Sequence, residues 1–129
     1  QKLQFKSDIV FLGRQSPENL HKILASARAL TFVPFFEGFG IPVAESIQCE
    51  VPVLASDVTS VPEVAGDAAI YVNPESIDEI GKGMQRLASD EDLYQQLLEA
   101  TKKQKNTFTW NKSAERLWAS IQKVMRYVK

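Results

Sequence analysis

The sequence predicts an α/β fold of the Rossmann type, with a parallel sheet of about four strands and helices on both faces. Three observations lead to this prediction. Several short segments are apolar at every position, which is typical of strands that are buried on both faces. Amphipathic stretches with helical spacing separate these segments, as in parallel strands joined by helices. The 129 residues fit one domain, and a hydrophobic fraction of 44% is ordinary for a folded protein.

Four segments are predicted to form the strands. The first covers residues 8–13, an apolar run that ends in a glycine. The others cover residues 29–34, 51–55 and 68–72. Each is short and rich in apolar side chains, so each fits the interior of a sheet better than its surface.

Helices are predicted between and after these strands. Ser16 followed by Pro17 is typical of a helix start, with serine as the cap and proline at the first helical position. A second helix is predicted at residues 42–49. The spacing of Ser76 and Glu79 is that of a capping box and predicts another helix start. Two further helices are predicted at residues 90–105 and 112–127, the last with an apolar stripe from Leu117 to Val128.

The composition argues against several classes of protein. A net charge of −1 gives no reason to expect a nucleic-acid partner. Cys49 is the single cysteine and cannot form an internal disulfide, which suits a reducing compartment. The sequence has no apolar run of the roughly 18 residues needed to span a bilayer, and its first residues lack a signal-peptide core. No metal-ligand spacing appears, and His21 is interpreted as a helix residue away from the chemistry. We therefore predict a cytoplasmic domain.

A glycine-rich turn after the second predicted strand is the first candidate for a ligand site. It reads Glu37-Gly38-Phe39-Gly40 and leads into the helix that contains Pro42. In an open parallel sheet, ligands bind beyond the carboxyl ends of the strands, which is where this turn is expected. Glycines permit close approach of the backbone, and the amino end of a helix favours an anion. The turn therefore predicts a phosphate site, although many such turns serve chain geometry alone.

Two glutamates flank this turn. Glu37 precedes it, and Glu45 follows eight positions later on the next helix. An ionised carboxylate accepts hydrogen bonds and repels phosphate, so these side chains are expected to bind hydroxyl groups. A phosphate site between two acceptors suits a nucleotide sugar, which has a diphosphate between two sugars. The spacing alone is equally compatible with solvated surface acids that complement the helix dipole.

The same region resembles a known family. Residues 35–46, Phe-Phe-Glu-Gly-Phe-Gly-Ile-Pro-Val-Ala-Glu-Ser, resemble the E-x7-E signature of the retaining GT-B glycosyltransferases of family 4. Residues 51–57, 61–74 and 108–110 resemble the segments that follow in that family. The resemblance covers nearly the whole chain in order. It implies that residues 1–129 form part of the C-terminal domain, which binds the sugar donor.

The resemblance also implies roles for individual residues. Glu37 would be the catalytic-centre residue that contacts the hydroxyls of the donor sugar, and Glu45 would bind the ribose. Gly13 and Arg14 would border the base, although Arg14 is equally compatible with a solvated loop position. The backbone around the sugar and the diphosphate would come from the residues of the turn and the helix start, namely Gly38, Phe39, Gly40 and Ile41.

The chain departs from the family pattern at two points. Cys49 is followed by Glu50 where relatives usually have glycine, which is expected to strain the helix exit. The family's domain also normally begins with two further strand units, which carry an arginine and a lysine that bind the diphosphate. Nothing in this sequence corresponds to those units or to the N-terminal domain that binds the acceptor.

These observations predict an enzyme in its full-length form. It would transfer a sugar from a nucleotide-diphosphate sugar to a hydroxyl acceptor with retention, in polysaccharide or glycolipid synthesis. It would need no metal or other cofactor, and it would associate peripherally with the inner face of the membrane. One alternative is a non-catalytic module that binds nucleotide sugars or proteins, and an epimerase of the same fold is weaker.

Assembly is the last expectation from the sequence. In the family's sheet, the neighbours of the strands at residues 8–13 and 29–34 come from the parts that have no counterpart here. Unpaired strand edges favour pairing. We therefore expect the first strand to move beside the second, and two chains to form a homodimer through the remaining apolar surface.

Overall fold

The computed structural model describes residues 4–127, and in this part of the chain three strands form one parallel sheet. The strands are β1 (Leu30–Phe32), β2 (Val53–Ser56) and β3 (Ala69–Val72), and their order in the sheet is the order in the chain. Leu30 is paired with Val53, and Val53 with Ala69. The α/β class and the parallel sheet are confirmed, with three strands in place of about four.

Six helices accompany the sheet in the described residues. They are α1 (Pro17–Ser26), α2 (Ile41–Gln48), α3 (Val61–Ala65), α4 (Ile77–Ser89), α5 (Glu91–Gln104) and α6 (Trp110–Tyr127). Short 3-10 turns cover Lys6–Asp8 and Gly66–Ala68. The predicted helices are all present. Where the structure describes a helix end, the predicted end lies within two residues of it. The sequence interpretation missed α3, because five residues are too few for a periodic pattern.

The core lies on both faces of the sheet, as the fully apolar strands predict. Val53 and Ala55 of β2 belong to a buried cluster with side chains of α2 and α3. Leu54, between them in sequence, points to the opposite face and packs in a second cluster with residues of α4 and α5. All four residues of β2 are buried, because β2 is the central strand and helices cover both of its faces.

The predicted caps are present at α1 and α4. The hydroxyl of Ser16 accepts a hydrogen bond from the N–H of Asn19, and Ser76 accepts one from Glu79. The second half of the predicted capping box is different. The carboxylate of Glu79 accepts a hydrogen bond from the N–H of Asn73, at the end of β3, and so ties the helix start to the strand.

The strand predicted at residues 8–13 is wrong. Asp8 ends a 3-10 turn, and residues 9–13 form no ladder with the sheet. Ile9, Val10, Phe11 and Leu12 are all exposed, Phe11 by 90%. A strand is stable only when its backbone groups pair and its side chains are covered. The segment has neither, so its apolar composition does not produce a strand. The expected movement of this segment beside β1 is wrong for the same reason.

Helix α6 is largely uncovered. None of its described residues is buried, although its apolar side chains follow helical spacing. The exposed large apolar side chains on this helix are Trp110, Leu117, Trp118, Ile121, Val124, Met125 and Tyr127. Val128, the end of the predicted stripe, lies outside the described residues. The apolar stripe predicted from Leu117 onward is therefore exposed along the described part of α6.

Candidate functional site

The turn between β1 and α2 lies at the carboxyl edge of the sheet. Gly40 caps α2 with a left-handed φ of 92°, a conformation that favours glycine. A side chain at this position would also approach Val43 and Glu37. Gly40 is itself buried. The left-handed backbone therefore favours glycine at the point where the loop after β1 enters α2.

The next loop holds Glu37 in place through its backbone. The N–H of Glu37 donates to the hydroxyl of Thr59 at 3.2 Å. The hydroxyl of Ser60 donates to the carbonyl of Glu37 at 3.0 Å. The side chain of Glu37 accepts a hydrogen bond from the N–H of Gly38 at 3.1 Å. These three bonds fix the start of the turn while one carboxylate oxygen of Glu37 has no hydrogen bond among residues 4–127.

The three backbone N–H groups that follow Gly38 are free. They belong to Phe39, Gly40 and Ile41, and none of them has an acceptor among residues 4–127. Pro42 has no N–H, and Val43 is the first residue of α2 whose N–H bonds back, to the carbonyl of Gly40. Free N–H groups at the positive end of a helix dipole form a site for an anion.

An open cavity of about 1090 Å³ adjoins the turn. Phe39 and Ile41 of the turn line it together with Glu45 of α2. Phe108 also lines the cavity and makes an edge-to-face contact with Phe39, with 5.6 Å between the ring centroids. The rest of the lining comes from α1, α2 and the start of α6: His21, Ala44, Gln48, Cys49, Thr109, Trp110 and Ser113.

Glu45 and His21 are neighbours in the lining of this cavity. The Nε2 atom of His21 lies 3.8 Å from the Oε1 atom of Glu45, and the two side chains are 55% and 34% exposed. The Glu45 carboxylate has no hydrogen-bond donor among residues 4–127. The sequence interpretation put His21 on a helix, away from the motif. The structure confirms an exposed helix position, but the packing of α1 on α2 places the imidazole beside Glu45.

The predicted site residues fall into two groups. Phe39, Ile41 and Glu45 line one cavity, and Glu37, Gly38 and Gly40 belong to the turn that forms its end. Gly13 and Arg14 do not line this cavity. Both are exposed in the N-terminal segment, where Gly13 has a φ of 60°. Their proposed place beside a base stays a prediction.

Thr59 and Ser60 are functional candidates that the sequence interpretation missed. They hold Glu37 from the loop after β2, and Thr59 has a left-handed φ of 57°. A signal was present, since polar residues at the carboxyl end of a predicted parallel strand point to the ligand edge of the sheet. The left-handed conformation had no signal, because threonine rarely adopts it.

The exit of α2 is strained, as the replacement of glycine predicts. Glu50 has a φ of 59°, in the left-handed region that glycine adopts without penalty. Its carboxylate accepts a hydrogen bond from the Nζ atom of Lys105 at 2.9 Å, and this bond lowers the pKa of Glu50. The ion pair joins the end of α2 to the end of α5.

Residues 4–127 contain neither a cluster of metal-binding side chains nor a helix suited to a bilayer. No group of three or more histidine, cysteine, aspartate or glutamate side chains in that range is arranged to hold a metal ion. Within the same residues, no helix is both long and apolar enough to cross a membrane.

A parallel sheet with helices on both faces, and a glycine turn between Glu37 and Glu45, agree with the GT-B resemblance found in the sequence. Comparison with known proteins identifies the family. The family model described as "Glycosyl transferases group 1" matches residues 1–104. The chain belongs to this family.

Several relatives support this assignment. The chain is 35% identical over 102 residues to the O-antigen chain mannosyltransferase B of Escherichia coli, covering 79% of this chain and 27% of the relative. It is 30% identical over 127 residues to the MMP alpha-(1->4)-mannosyltransferase of Mycolicibacterium hassiacum, covering 95% of this chain and 31% of the relative. The chain therefore spans less than a third of the length of either relative.

A solved structure has the same fold. Sucrose-phosphate synthase from Thermosynechococcus elongatus superposes with a TM-score of 0.79 and 20% sequence identity, covering 95% of this chain and 31% of that chain. At this identity the likeness concerns the fold alone.

Proposed function

We propose that this chain is the donor-binding part of a retaining glycosyltransferase of family 4, and that it binds a nucleotide-diphosphate sugar along α2. The observation that carries the proposal is the row of free N–H groups at Phe39, Gly40 and Ile41, which lies between two carboxylates, Glu37 and Glu45. The N–H groups in the middle can donate to a diphosphate, and the carboxylates at both ends can accept from sugar hydroxyls. This arrangement matches the chemistry of a nucleotide sugar.

The diphosphate binds at the amino end of α2. The free N–H groups of Phe39, Gly40 and Ile41 donate to its oxygens, and the helix dipole favours its charge. The same groups stabilise the nucleoside diphosphate as it departs from the sugar, where more negative charge develops. A basic pair elsewhere in the full-length protein, which the family resemblance implies, adds to this stabilisation.

The two carboxylates bind the two sugars. Glu37 begins the turn, and its free carboxylate oxygen accepts from hydroxyls of the donor sugar near the reaction centre. Glu45 lies one helical turn beyond Ile41, a rise of about 5–6 Å, and accepts from the ribose hydroxyls. Glu37 orients the sugar in this proposal, and no covalent intermediate is assigned to it. Gly13 and Arg14 border the base from the N-terminal segment.

The full-length protein transfers the sugar to a hydroxyl acceptor in polysaccharide or glycolipid synthesis. The mannosyltransferases to which the chain is similar support this class of reaction, including one that acts on an O-antigen chain. An N-terminal domain binds the acceptor, and the protein works in the cytoplasm at the inner face of the membrane. Alone, the chain binds nucleotide sugar weakly, transfers no sugar and forms a homodimer through its apolar surface.

A binding experiment tests the proposal. Guanosine and uridine diphosphates, and their sugar conjugates, are titrated into the chain and into a Glu45→Ala variant by calorimetry or NMR. We expect weak binding of at least one nucleotide by the wild type. The variant should lose about 1–3 kcal/mol of binding free energy, because the ribose hydroxyls lose their acceptor.

Glu99→Ala is the matched control. It removes an exposed carboxylate from α5 by the same substitution and leaves the site intact. Equal affinities of the Glu45→Ala variant and the wild type would refute the ribose assignment. Absence of binding for every nucleotide tested would refute the proposed function of the chain.

A further inference from the structure

We propose that His21 is a positioning residue of the donor site, which holds the carboxylate of Glu45 for the ribose hydroxyls. The inference rests on the proposed function, and it adds a residue from α1 to a site that is otherwise built from α2 and the turn before it. His21 has no counterpart among the motif residues that indicated the site, and the pair exists only because α1 packs on α2.

The geometry places the imidazole against one oxygen of the carboxylate. Nε2 of His21 lies 3.8 Å from Oε1 of Glu45, and both side chains line the same cavity. This distance exceeds a direct hydrogen bond, which requires about 2.7–3.2 Å. Both side chains are partly exposed, so a small rotation of either one closes the gap when a ligand orders the site.

Among the residues that the structure describes, His21 is the basic side chain paired with Glu45. No other contact between a basic and an acidic side chain in residues 4–127 includes Glu45. The adjacent Lys22 forms its own pair with Glu18 on α1, with 2.6 Å between Nζ and Oε1. The side of α1 that faces α2 therefore contributes the imidazole, while the neighbouring charges of α1 satisfy each other.

The chemistry of the ligand explains what the imidazole contributes. A ribose diol donates hydrogen bonds, and a carboxylate with two free oxygens has many orientations in which to accept them. An N–H from His21 to Oε1 fixes the carboxylate and directs Oε2 to the diol. The same contact reduces the repulsion between Glu45 and a diphosphate bound one helical turn away, at Ile41.

The test is a double-mutant cycle on nucleotide binding. The wild-type chain, His21→Ala, Glu45→Ala and the double variant are titrated with the nucleoside diphosphate that the wild type binds best. Each is also titrated with the 2′,3′-dideoxy analogue of that nucleotide. Lys22→Ala is the matched control, because it removes the next side chain on α1, which points to Glu18 instead of Glu45.

We expect His21→Ala to weaken binding of the ribonucleotide about two- to fivefold, the range for the loss of one partly exposed hydrogen bond. It should leave binding of the dideoxy analogue unchanged, and it should have no further effect when Glu45 is already alanine. Lys22→Ala should bind like the wild type. A general effect on folding would weaken both nucleotides equally, so the comparison separates positioning from structure.

Three results would overturn the inference while the proposed function stands. In the first, His21→Ala binds the ribonucleotide as tightly as the wild type does. In the second, it weakens binding by the same factor with and without Glu45. In the third, it weakens binding of the dideoxy analogue as much as binding of the ribonucleotide. If the wild type binds none of the nucleotides, the proposed function and this inference fall together.

Discussion

Glu37 is positioned by its own backbone and leaves its side chain for a ligand. Its N–H donates to Thr59, and its carbonyl accepts from Ser60. One of its carboxylate oxygens accepts from the N–H of Gly38. A residue held in this way can lose its charge without a change in the course of the turn. This makes Glu37 suitable for a substitution that tests chemistry instead of folding.

We predict that Glu37→Gln weakens binding of a nucleotide sugar more than binding of the matching nucleoside diphosphate. The amide keeps the shape of the side chain, but it is a poorer acceptor for sugar hydroxyls, at a cost of about 1 kcal/mol. Calorimetric titration with both ligands measures the difference. Equal losses for both ligands would show that Glu37 does not contact the sugar.

Tyr71 shows how a single partly buried side chain stabilises the sheet. Its hydroxyl donates to the carbonyl of Gly66 at 2.6 Å, across the connection between α3 and β3. Burial, and to a lesser degree the negative charge of Asp67, raises the pKa of Tyr71 from 10.0 to about 12. The folded protein therefore favours the neutral phenol.

This shift predicts a loss of stability in alkali. Below pH 10.0, Tyr71 is protonated in both the folded and the unfolded chain, so its contribution to the free energy of unfolding is complete. As the pH rises from 10.0 to about 12, the unfolded chain releases the proton first, and this contribution is lost. Tyr71→Phe should remove this part of the alkaline slope.

The variant should also be less stable at neutral pH, by about 1 kcal/mol, because the hydrogen bond to Gly66 is absent. Urea denaturation across the alkaline range measures both effects. A Tyr71→Phe variant with the same alkaline slope as the wild type would show that another group is responsible for it.

At the scale of elements, the packing of α4 on the sheet depends on a glycine. Gly83 is buried, and a Cβ atom at this position would overlap the Cδ1 atom of Leu54 in β2. The Cγ1 atom of Val72 would lie only 3.3 Å away. Gly81 lies on the same helix and is exposed, and a Cβ atom added there would have no neighbour within 4 Å. Alanine at Gly81 therefore tests helix propensity alone, while alanine at Gly83 also tests the close packing of α4 on β2.

Gly83→Ala should destabilise the protein by about 1–3 kcal/mol, because the added methyl group forces α4 away from β2. Gly81→Ala should stabilise it by about 0.5–1 kcal/mol, because alanine is the better helix residue at an open position. Thermal and urea denaturation of the two variants measure both signs. Stabilisation by both substitutions would show that α4 can move away from the sheet without penalty.

At the scale of the whole molecule, many large apolar side chains lie on the surface instead of in the core. Helix α6 exposes a stripe that includes Leu117, Ile121 and Val124, and the N-terminal segment exposes Phe11. The open edge of β1 adds unpaired backbone groups. Apolar surface of this extent favours association with another protein surface.

We predict that the chain self-associates through α6. Sedimentation velocity over a concentration series should show a weight-average coefficient that rises with concentration. The double variant Leu117→Glu and Ile121→Glu should reduce the association, because it places charges in the stripe. Gln122→Glu, a charge added at an exposed polar residue of the same helix, is the control. A wild-type chain that stays monomeric at all concentrations would contradict this prediction.

The sequence by itself determined the parallel α/β class, the order of five of the six helices, and the segment that runs from Glu37 in the turn to Glu45 on α2. These features depend on local patterns. Examples are continuous apolar strands, serine caps at Ser16 and Ser76, and a glycine-rich turn before a helix. Such patterns reflect backbone conformation and burial within a few residues, so they can be identified without coordinates.

Only the tertiary structure decided the conformation of residues 8–13 and which side chains lie beside Glu45. The first segment has the composition of a strand, but a strand requires a paired neighbour, which no local pattern reveals. His21 and Glu45 are 24 residues apart in the sequence, and the approach of their side chains to 3.8 Å follows from the packing of α1 on α2. Contacts between distant elements depend on the whole arrangement of the chain, and therefore only the folded structure determines them.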